Sequence, residues 1–170
     1  MVSIAGLLHR LTAGRPVRLI SRNGRPYLER YYLGRTGPLT WNLHRFVSGD
    51  GDPEPHDHPW RAWSLVLTGW YVEVRHVLSG RHGLPGRARA VRWFNVLSPR
   101  HIHRVARTRP DTWTLFVHTP SRKGWGFFRR VHGDGTSGVL YYQPHDPVET
   151  GWHITAPRGR ESGREPGVGA

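Results

Sequence analysis

The sequence predicts an all-β fold, an antiparallel sandwich or barrel with one short helix at the N-terminus. Apolar and polar residues alternate with a period of two along much of the chain, as in strands that bury one face. The chain has 21 Gly and 14 Pro. These residue types end strands, and here they divide the chain into short segments. The 170 residues include 8 Trp, 6 Tyr and 5 Phe, which supply bulky side chains for the core of one domain.

The predicted helix covers residues 3–13. Ser3 is a residue type that caps helices, because its hydroxyl accepts a hydrogen bond from a free N–H of the first turn. Apolar side chains follow at helical spacing, at Ile4, Leu7, Leu8 and Leu11. We therefore expect a short amphipathic helix that packs on the outside of the β-structure.

Short strands are predicted after this helix. Residues 39–46 alternate Leu, Trp and Leu with polar residues, and residues 61–78 have the pattern of a hairpin that turns near Thr68 and Gly69. The predicted strand segments are 25–34, 39–46, 61–78, 90–98, 100–107, 111–120, 125–131 and 139–143, with a turn at 133–138.

Residues 1–156 are predicted to form a single domain, with the barrel over about residues 17–150. From about residue 157 the chain consists mainly of Gly, Pro, Arg and Glu. Such a segment has little apolar surface to bury. We therefore expect residues 157–170 to form a disordered C-terminal tail.

The composition bounds the partners and the compartment. The formal net charge of +13 comes almost entirely from arginines spread along the whole chain, so we do not expect nucleic acid as the partner. No stretch has the ~18 consecutive apolar residues of a membrane span, and the N-terminus lacks a signal-peptide pattern. We expect a cytoplasmic protein without a membrane partner. Because there is no cysteine, a metal would have to be held by histidine, carboxylate or water.

Two His-x-His pairs are the strongest functional signal. His56 and His58 are two residues apart, and His101 and His103 repeat the spacing after a turn. In a strand, such residues face the same way about 6.6 Å apart, which allows two imidazoles to approach one ion. A metal needs a third ligand, and the second pair is the obvious source of it.

Residues 56–69 resemble the first sequence motif of the cupin family. That motif has a His-x-His pair, a Glu a few residues later and a Gly six residues beyond the Glu. Here His56 and His58 form the pair and Gly69 occupies the glycine position, but Ala62 stands where the glutamate ligand is expected.

The second cupin motif has a partial counterpart at Pro99. His101 stands at its glycine position, and His103 comes one residue before the expected histidine. The resemblance covers about residues 39–130 and extends to small uncharacterised cupin-like proteins of phage and bacterial genomes.

The resemblance implies a small single-domain cupin, an antiparallel jelly-roll barrel around a metal centre. The ligands would be His56, His58 and His103, with His101 as a fourth ligand or as the substitute for His103. The metal would be a divalent ion, with Fe(II) expected first and Ni, Cu, Zn or Mn as alternatives. Cupins often pair through sheet edges, so a homodimer is consistent with the resemblance.

For function, a centre without a carboxylate resembles cupins such as the thiol dioxygenases. It would have open positions for O2 and for an anionic small-molecule substrate. We therefore expect an Fe(II) oxygenase, with a non-redox metal-dependent isomerase or lyase as the alternative. A non-catalytic small-molecule binding or assembly module is the third interpretation. The predicted substrate-binding residues are Arg45, Arg61, Arg104 and Trp63, whereas Glu73 is expected to be an exposed strand position.

Overall fold

The computed structural model describes residues 3–22, 24–48, 54–79, 83–131, 139–145 and 151–167. Most of these residues belong to short strands. The elements are α1 (Ile4–Leu11), β1 (Val17–Arg22), β2 (Arg25–Thr36), β3 (Leu39–Phe46), β4 (Ala62–Thr68), β5 (Tyr71–His76), β6 (Gly86–Val91), β7 (Phe94–Leu97), β8 (Ile102–Thr108), β9 (Thr112–His118), β10 (Gly126–Val131), β11 (Val139–Pro144), α2 (Trp152–Thr155) and a 3₁₀ turn (Gly159–Glu161).

The strands form one large antiparallel sheet and two small ones. The large sheet has the order β1-β2-β3-β9-β4-β7, and the small sheets are β6-β5-β8 and β10-β11. All their strand pairs are antiparallel. This arrangement confirms the predicted all-β antiparallel fold with a short N-terminal helix. The predicted turn at 133–138 lies outside the described residues.

The predicted hairpin of residues 61–78 is wrong. Both of its halves are strands, but β4 pairs with β7 and β9 in the large sheet, and β5 pairs with β6 and β8. The connection crosses between the sheets at Gly69, whose φ of 73° is in the left-handed region. The neighbouring Trp70 N–H donates to the hydroxyl of Thr112 at 3.1 Å, which fixes the crossing point. Because both edges of β4 are already paired, β5 has no edge of that strand to join.

The large sheet has an inner and an outer apolar face. On the inner face, Leu28, Phe46 and Val66 pack against residues of the small sheet, among them Tyr71 and Val91. This apolar cluster therefore joins the large sheet to the small sheet β6-β5-β8.

The outer face packs against α1. Ala5 and Leu8 of this helix contact a cluster built on Tyr31 and Trp113. The hydroxyl of Ser3 accepts a hydrogen bond from the Gly6 N–H at 3.0 Å, as a helix cap does. Neither described helix has the length and apolar character that crossing a bilayer requires.

The segment 157–167 differs from the predicted disordered tail, because the structure places it against the sheet. Arg45 donates to the backbone carbonyls of Glu165 and Pro166, at 2.7 and 2.6 Å. The N–H of Glu165 donates to the Glu29 carboxylate at 2.9 Å. The sequence prediction considered only apolar burial, whereas polar backbone contacts to a buried ion pair hold this segment. Residues 168–170 lie outside the described residues.

Candidate metal centre

Three histidine side chains meet between the sheets: His56, His58 and His103. Their ligand nitrogens all lie within 4.8 Å of one another. The ring centroids are 4.9 Å apart for His56 and His58, 5.0 Å for His56 and His103, and 4.9 Å for His58 and His103. The Nε2 atoms of His58 and His103 are 2.7 Å apart. Since a metal–imidazole bond is about 2.1 Å long, nitrogens this close can share one ion.

Backbone hydrogen bonds hold residues 54–58 against β8. The N–H and C=O of His56 both bond to the backbone of His103, at 2.9 Å each. On the other side, the N–H of Phe128 in β10 donates to the carbonyl of Pro55 at 2.8 Å. Because Pro55 has no N–H to donate, the segment forms an isolated bridge rather than a longer strand. His56 and His103 are therefore neighbours across a two-sided bridge that joins β8 to β10.

Glu73 orients the third histidine. Its carboxylate is fully buried and lies 2.7 Å from Nδ1 of His103. Arg75 and Arg89 also donate to it, at 3.0 and 2.8 Å. Burial alone would raise the pKa of Glu73, but the hydrogen bonds from His103, Arg89 and Asn95 lower it well below the usual value. The charged carboxylate accepts the Nδ1 proton of His103, which leaves Nε2 available to bind a metal.

His56 and His58 are kept neutral by their surroundings. Burial, followed by the neighbouring His103, lowers the pKa of His56 to about 3. Burial likewise lowers the pKa of His58 well below 6.5. Nδ1 of His56 lies 3.1 Å from the backbone carbonyl of Glu54, so the tautomer that donates this bond presents Nε2 to the centre. Neutral imidazole is the form that binds a metal, and a group of three histidine side chains could hold a divalent transition-metal ion.

Aromatic rings enclose the centre. Trp60 stacks on His58 with centroids 4.3 Å apart and an interplanar angle of 12°. Trp125 lies 6.4 Å from the same ring at 22°, and 6.2 Å from His56. Phe127 lies 5.8 Å from the His56 ring. These ring contacts restrict the orientations of the His56 and His58 imidazoles.

Asp57 anchors the segment between His56 and His58. It accepts a hydrogen bond from the Gly126 N–H at 2.8 Å and an ion-pair contact from Lys123. It is buried and points away from the ring nitrogens, as alternation along an extended segment requires. Asp57 therefore ties residues 54–58 to β10 and is not placed with the histidine ligands.

His101 is not placed with the three histidines. It lies in the turn before β8, and its Nδ1 accepts a hydrogen bond from the Ser98 N–H at 3.1 Å. His103, two residues later, is the member of the second His-x-His pair that faces His56 and His58.

Two of the four predicted substrate-binding residues lie on the outer face of the large sheet. Arg45 is buried there in ion pairs with Glu29 at 3.2 Å and Asp111 at 2.5 Å, opposite in direction to its neighbour His44. Trp63 follows the buried Ala62 and therefore also faces outward from β4. Closeness in sequence does not decide which face of a strand a residue occupies, and the structure does not bring these two side chains to the histidines.

The other two predicted residues are also not brought to the centre. Arg61 is exposed to solvent at the start of β4. Arg104 directly follows His103 in β8, and successive residues of a strand point to opposite faces.

Sequence reasoning missed Glu73, which the fold buries, and Arg30, which it half-buries. Glu73 was expected to be exposed, but it alternates with the buried Tyr71 on one face of β5, and this parity is a signal that could have found it. Arg30 lies on the inner face of β2, where its Nε donates to Nε2 of His44 at 3.0 Å. Only the pairing of β2 with β3 shows that the two residues are opposite each other.

Solved structures with a similar fold include several cupins. A cupin 2 conserved barrel domain protein from Rhodopseudomonas palustris is 14% identical with a TM-score of 0.44, over 65% of this chain and 74% of that chain. It is a cupin by its own description. KdgF from Halomonas sp. is 19% identical with a TM-score of 0.42, over 61% of this chain and 94% of that chain.

The Fe(II)-bound HEPD of Streptomyces albus, with 2-hydroxyethylphosphonate bound, is 14% identical with a TM-score of 0.46. The match covers 62% of this chain but only 24% of HEPD, so it spans about a quarter of that protein. No protein-family model matches the chain, and no curated protein matches it.

Proposed function

We propose that this protein is a cupin-type metalloenzyme whose divalent ion is held by His56, His58 and His103. The convergence of three imidazoles with no carboxylate among them is the observation that carries the proposal. Three ligands leave further coordination positions open, which a purely structural site would fill. The expected activity is that of an Fe(II) oxygenase acting on a small anionic substrate.

The residues around the centre have separate tasks in this proposal. Bound Fe(II) supplies redox chemistry towards dioxygen, and this requires a ligand set that stays unprotonated. Glu73 keeps the proton of His103 on Nδ1, 2.7 Å away, so that Nε2 remains free to bind. Trp60 and Trp125 both lie nearly parallel to the His58 ring and would limit the access of water.

The missing carboxylate bears on the substrate. Three neutral ligands leave the 2+ charge of the ion uncompensated within the ligand set, which favours an anion in the open positions. Glu73 does not offset this charge fully, because its carboxylate also pairs with Arg75 and Arg89. A small carboxylate or phosphonate is therefore the expected class of substrate.

Elemental analysis of protein purified without a chelator or a polyhistidine tag tests the proposal. We expect about one metal ion per chain, and loss of that ion in His56→Ala, His58→Ala and His103→Ala. His101→Ala is the matched control, because it removes a histidine from the same strand region that the structure keeps away from the centre. Full metal content in the three variants would refute the site.

Anaerobic loading with Fe(II) separates the oxygenase from its alternatives. Nitric oxide binds Fe(II) where O2 would bind, so its characteristic paramagnetic resonance signal reports an open position without requiring the substrate. We expect that signal in the wild type. A protein that takes up Zn(II) or Mn(II) but shows no nitric oxide complex with Fe(II) would favour the isomerase or lyase interpretation. A protein that takes up no metal would favour a binding module.

A further inference from the structure

Arg30 is a cation in the interior that has no acidic partner in the described part of the chain. It alternates with Leu28 on the inner face of β2, and its cross-strand neighbour in β3 is His44. Its Nε donates to Nε2 of His44 at 3.0 Å, and this is its one hydrogen bond among the described residues. Arg30 belongs to none of the ion pairs found in those ranges.

The guanidinium of Arg30 stays charged despite its surroundings. Burial lowers the pKa of Arg30 to about 10, which still leaves it protonated at neutral pH. A buried charge is costly unless it is paired. By its accessible surface Arg30 is half-buried, and the neutral imidazole that accepts its one described hydrogen bond does not compensate the charge.

A continuous series of ring contacts, two stacked and one edge-to-face, leads from Arg30 to the histidine centre. His44, the partner of Arg30, stacks on Phe116 with centroids 4.5 Å apart. Phe116 contacts Trp60 at 5.3 Å, and Trp60 stacks on His58 at 4.3 Å. Arg30 and the candidate metal ligands therefore face the same interior.

Among the described residues of this interior, no acidic side chain pairs with the guanidinium of Arg30. The buried carboxylate of Glu73 is already satisfied by two arginines and His103. Burial, followed by the charge of Arg30, lowers the pKa of His44 and keeps it neutral. Asn42, on the same face of β3 as His44, has a buried amide oxygen without a hydrogen-bond partner among the described residues. The Asn42 oxygen takes a hydrogen-bond donor such as a hydroxyl, whereas an anion would be bound by Arg30.

We propose that Arg30 binds the oxyanion of the substrate, a carboxylate or phosphonate group, while the rest of the molecule faces the histidine centre. The inference rests on the proposed function for the identity of the bound molecule as a substrate. The Nη groups of a guanidinium whose Nε is already held by His44 can donate two parallel hydrogen bonds to an oxyanion. Arg30 would then set the orientation of the substrate as well as its charge preference.

The test measures the binding of small anions by calorimetry. Inorganic phosphate and acetate are titrated into metal-free protein and into protein loaded with Co(II), whose visible spectrum reports changes in its ligands. The variants are Arg30→Gln, which removes the charge, and Arg30→Lys, which keeps the charge but loses the planar fork. Arg10→Gln is the control, because it removes one arginine from the exposed surface of α1.

We expect at least one of the two anions to bind metal-free wild-type protein, and Arg30→Gln to weaken that binding by about tenfold or more. Arg30→Lys should weaken it less, and Arg10→Gln should leave it unchanged. Equal affinity in Arg30→Gln and wild type, or no binding of either anion by wild type, would overturn the inference. If Arg30→Gln loses the native circular dichroism spectrum, Arg30→Lys decides, and unchanged affinity in that variant overturns the inference.

The two proposals fail in distinguishable ways. Metal content is measured on the same samples, and Arg30→Gln should bind as much Co(II) as wild type, because Arg30 is not among the ligands. Loss of anion binding with full metal content supports Arg30 as the anion site. Absence of metal from every sample would refute the histidine centre, while anion binding by metal-free protein would still report on Arg30.

Discussion

Replacing Glu73 by Gln tests whether a buried carboxylate holds the third histidine in place. The amide has nearly the same shape, but it cannot carry the negative charge that faces Nδ1 of His103 at 2.7 Å. Loss of such a partner of a ligating histidine typically weakens metal binding by about 10- to 100-fold. We therefore expect Zn(II) affinity, measured by competition with a chelator, to fall within this range.

The same substitution should also destabilise the metal-free protein. Glu73 is fully buried, and breaking a buried ion pair costs about 3–5 kcal/mol. Its partners Arg75 and Arg89 are 31% and 43% exposed, however, so water can solvate them after the change. We expect an intermediate loss of about 2 kcal/mol in the free energy of unfolding, measured with urea.

Glu54→Gln provides the matched control for this experiment. Glu54 undergoes the same chemical change two residues before His56, but its carboxylate pairs with Arg129 near the surface, at 2.8 Å. Its side chain is 36% exposed, so the expected stability loss is below about 1 kcal/mol and the metal affinity should not change. Wild-type Zn(II) affinity in Glu73→Gln, or equal losses in the two variants, would refute the positioning role of Glu73.

Two further predictions concern the polar interior and the C-terminal segment. Deleting residues 157–170 should lower the free energy of unfolding by about 2 kcal/mol or more, since Arg45 and Glu29 lose hydrogen bonds to Glu165 and Pro166. Unchanged urea midpoints would restore the prediction of a disordered tail. Burial lowers the pKa of His44, so the unfolded state binds a proton more readily below pH 6.5 and stability should decline as pH falls from that value. His44→Gln should reduce this decline in the free energy of unfolding by up to about 1.4 kcal/mol per pH unit. Urea unfolding that shows the same pH profile in the variant and the wild type would contradict this prediction.

The strand pattern and the meeting of His56 with His58 could be predicted from the sequence. Alternation of apolar and polar residues depends on local geometry, so residues 39–46 and 112–118 were recognisable as strands before their partners were known. The spacing of His56 and His58 is also a local signal, because residues two positions apart in an extended chain face the same way. The helix cap at Ser3 is a third local feature.

The pairing of distant segments was decided only by the tertiary structure. Which histidine of the second pair joins the first depends on the backbone bridge between His56 and His103, formed by residues far apart in the chain. The burial of Glu73 and the interior position of Arg30 depend on which face of each sheet turns inward. A strand pattern indicates that there are two faces, but only the packing of one sheet on the other shows which face is inside. For the same reason Arg45, which is near the histidines in sequence, lies on the outer face of the sheet. There it pairs with Glu29 beneath the C-terminal segment.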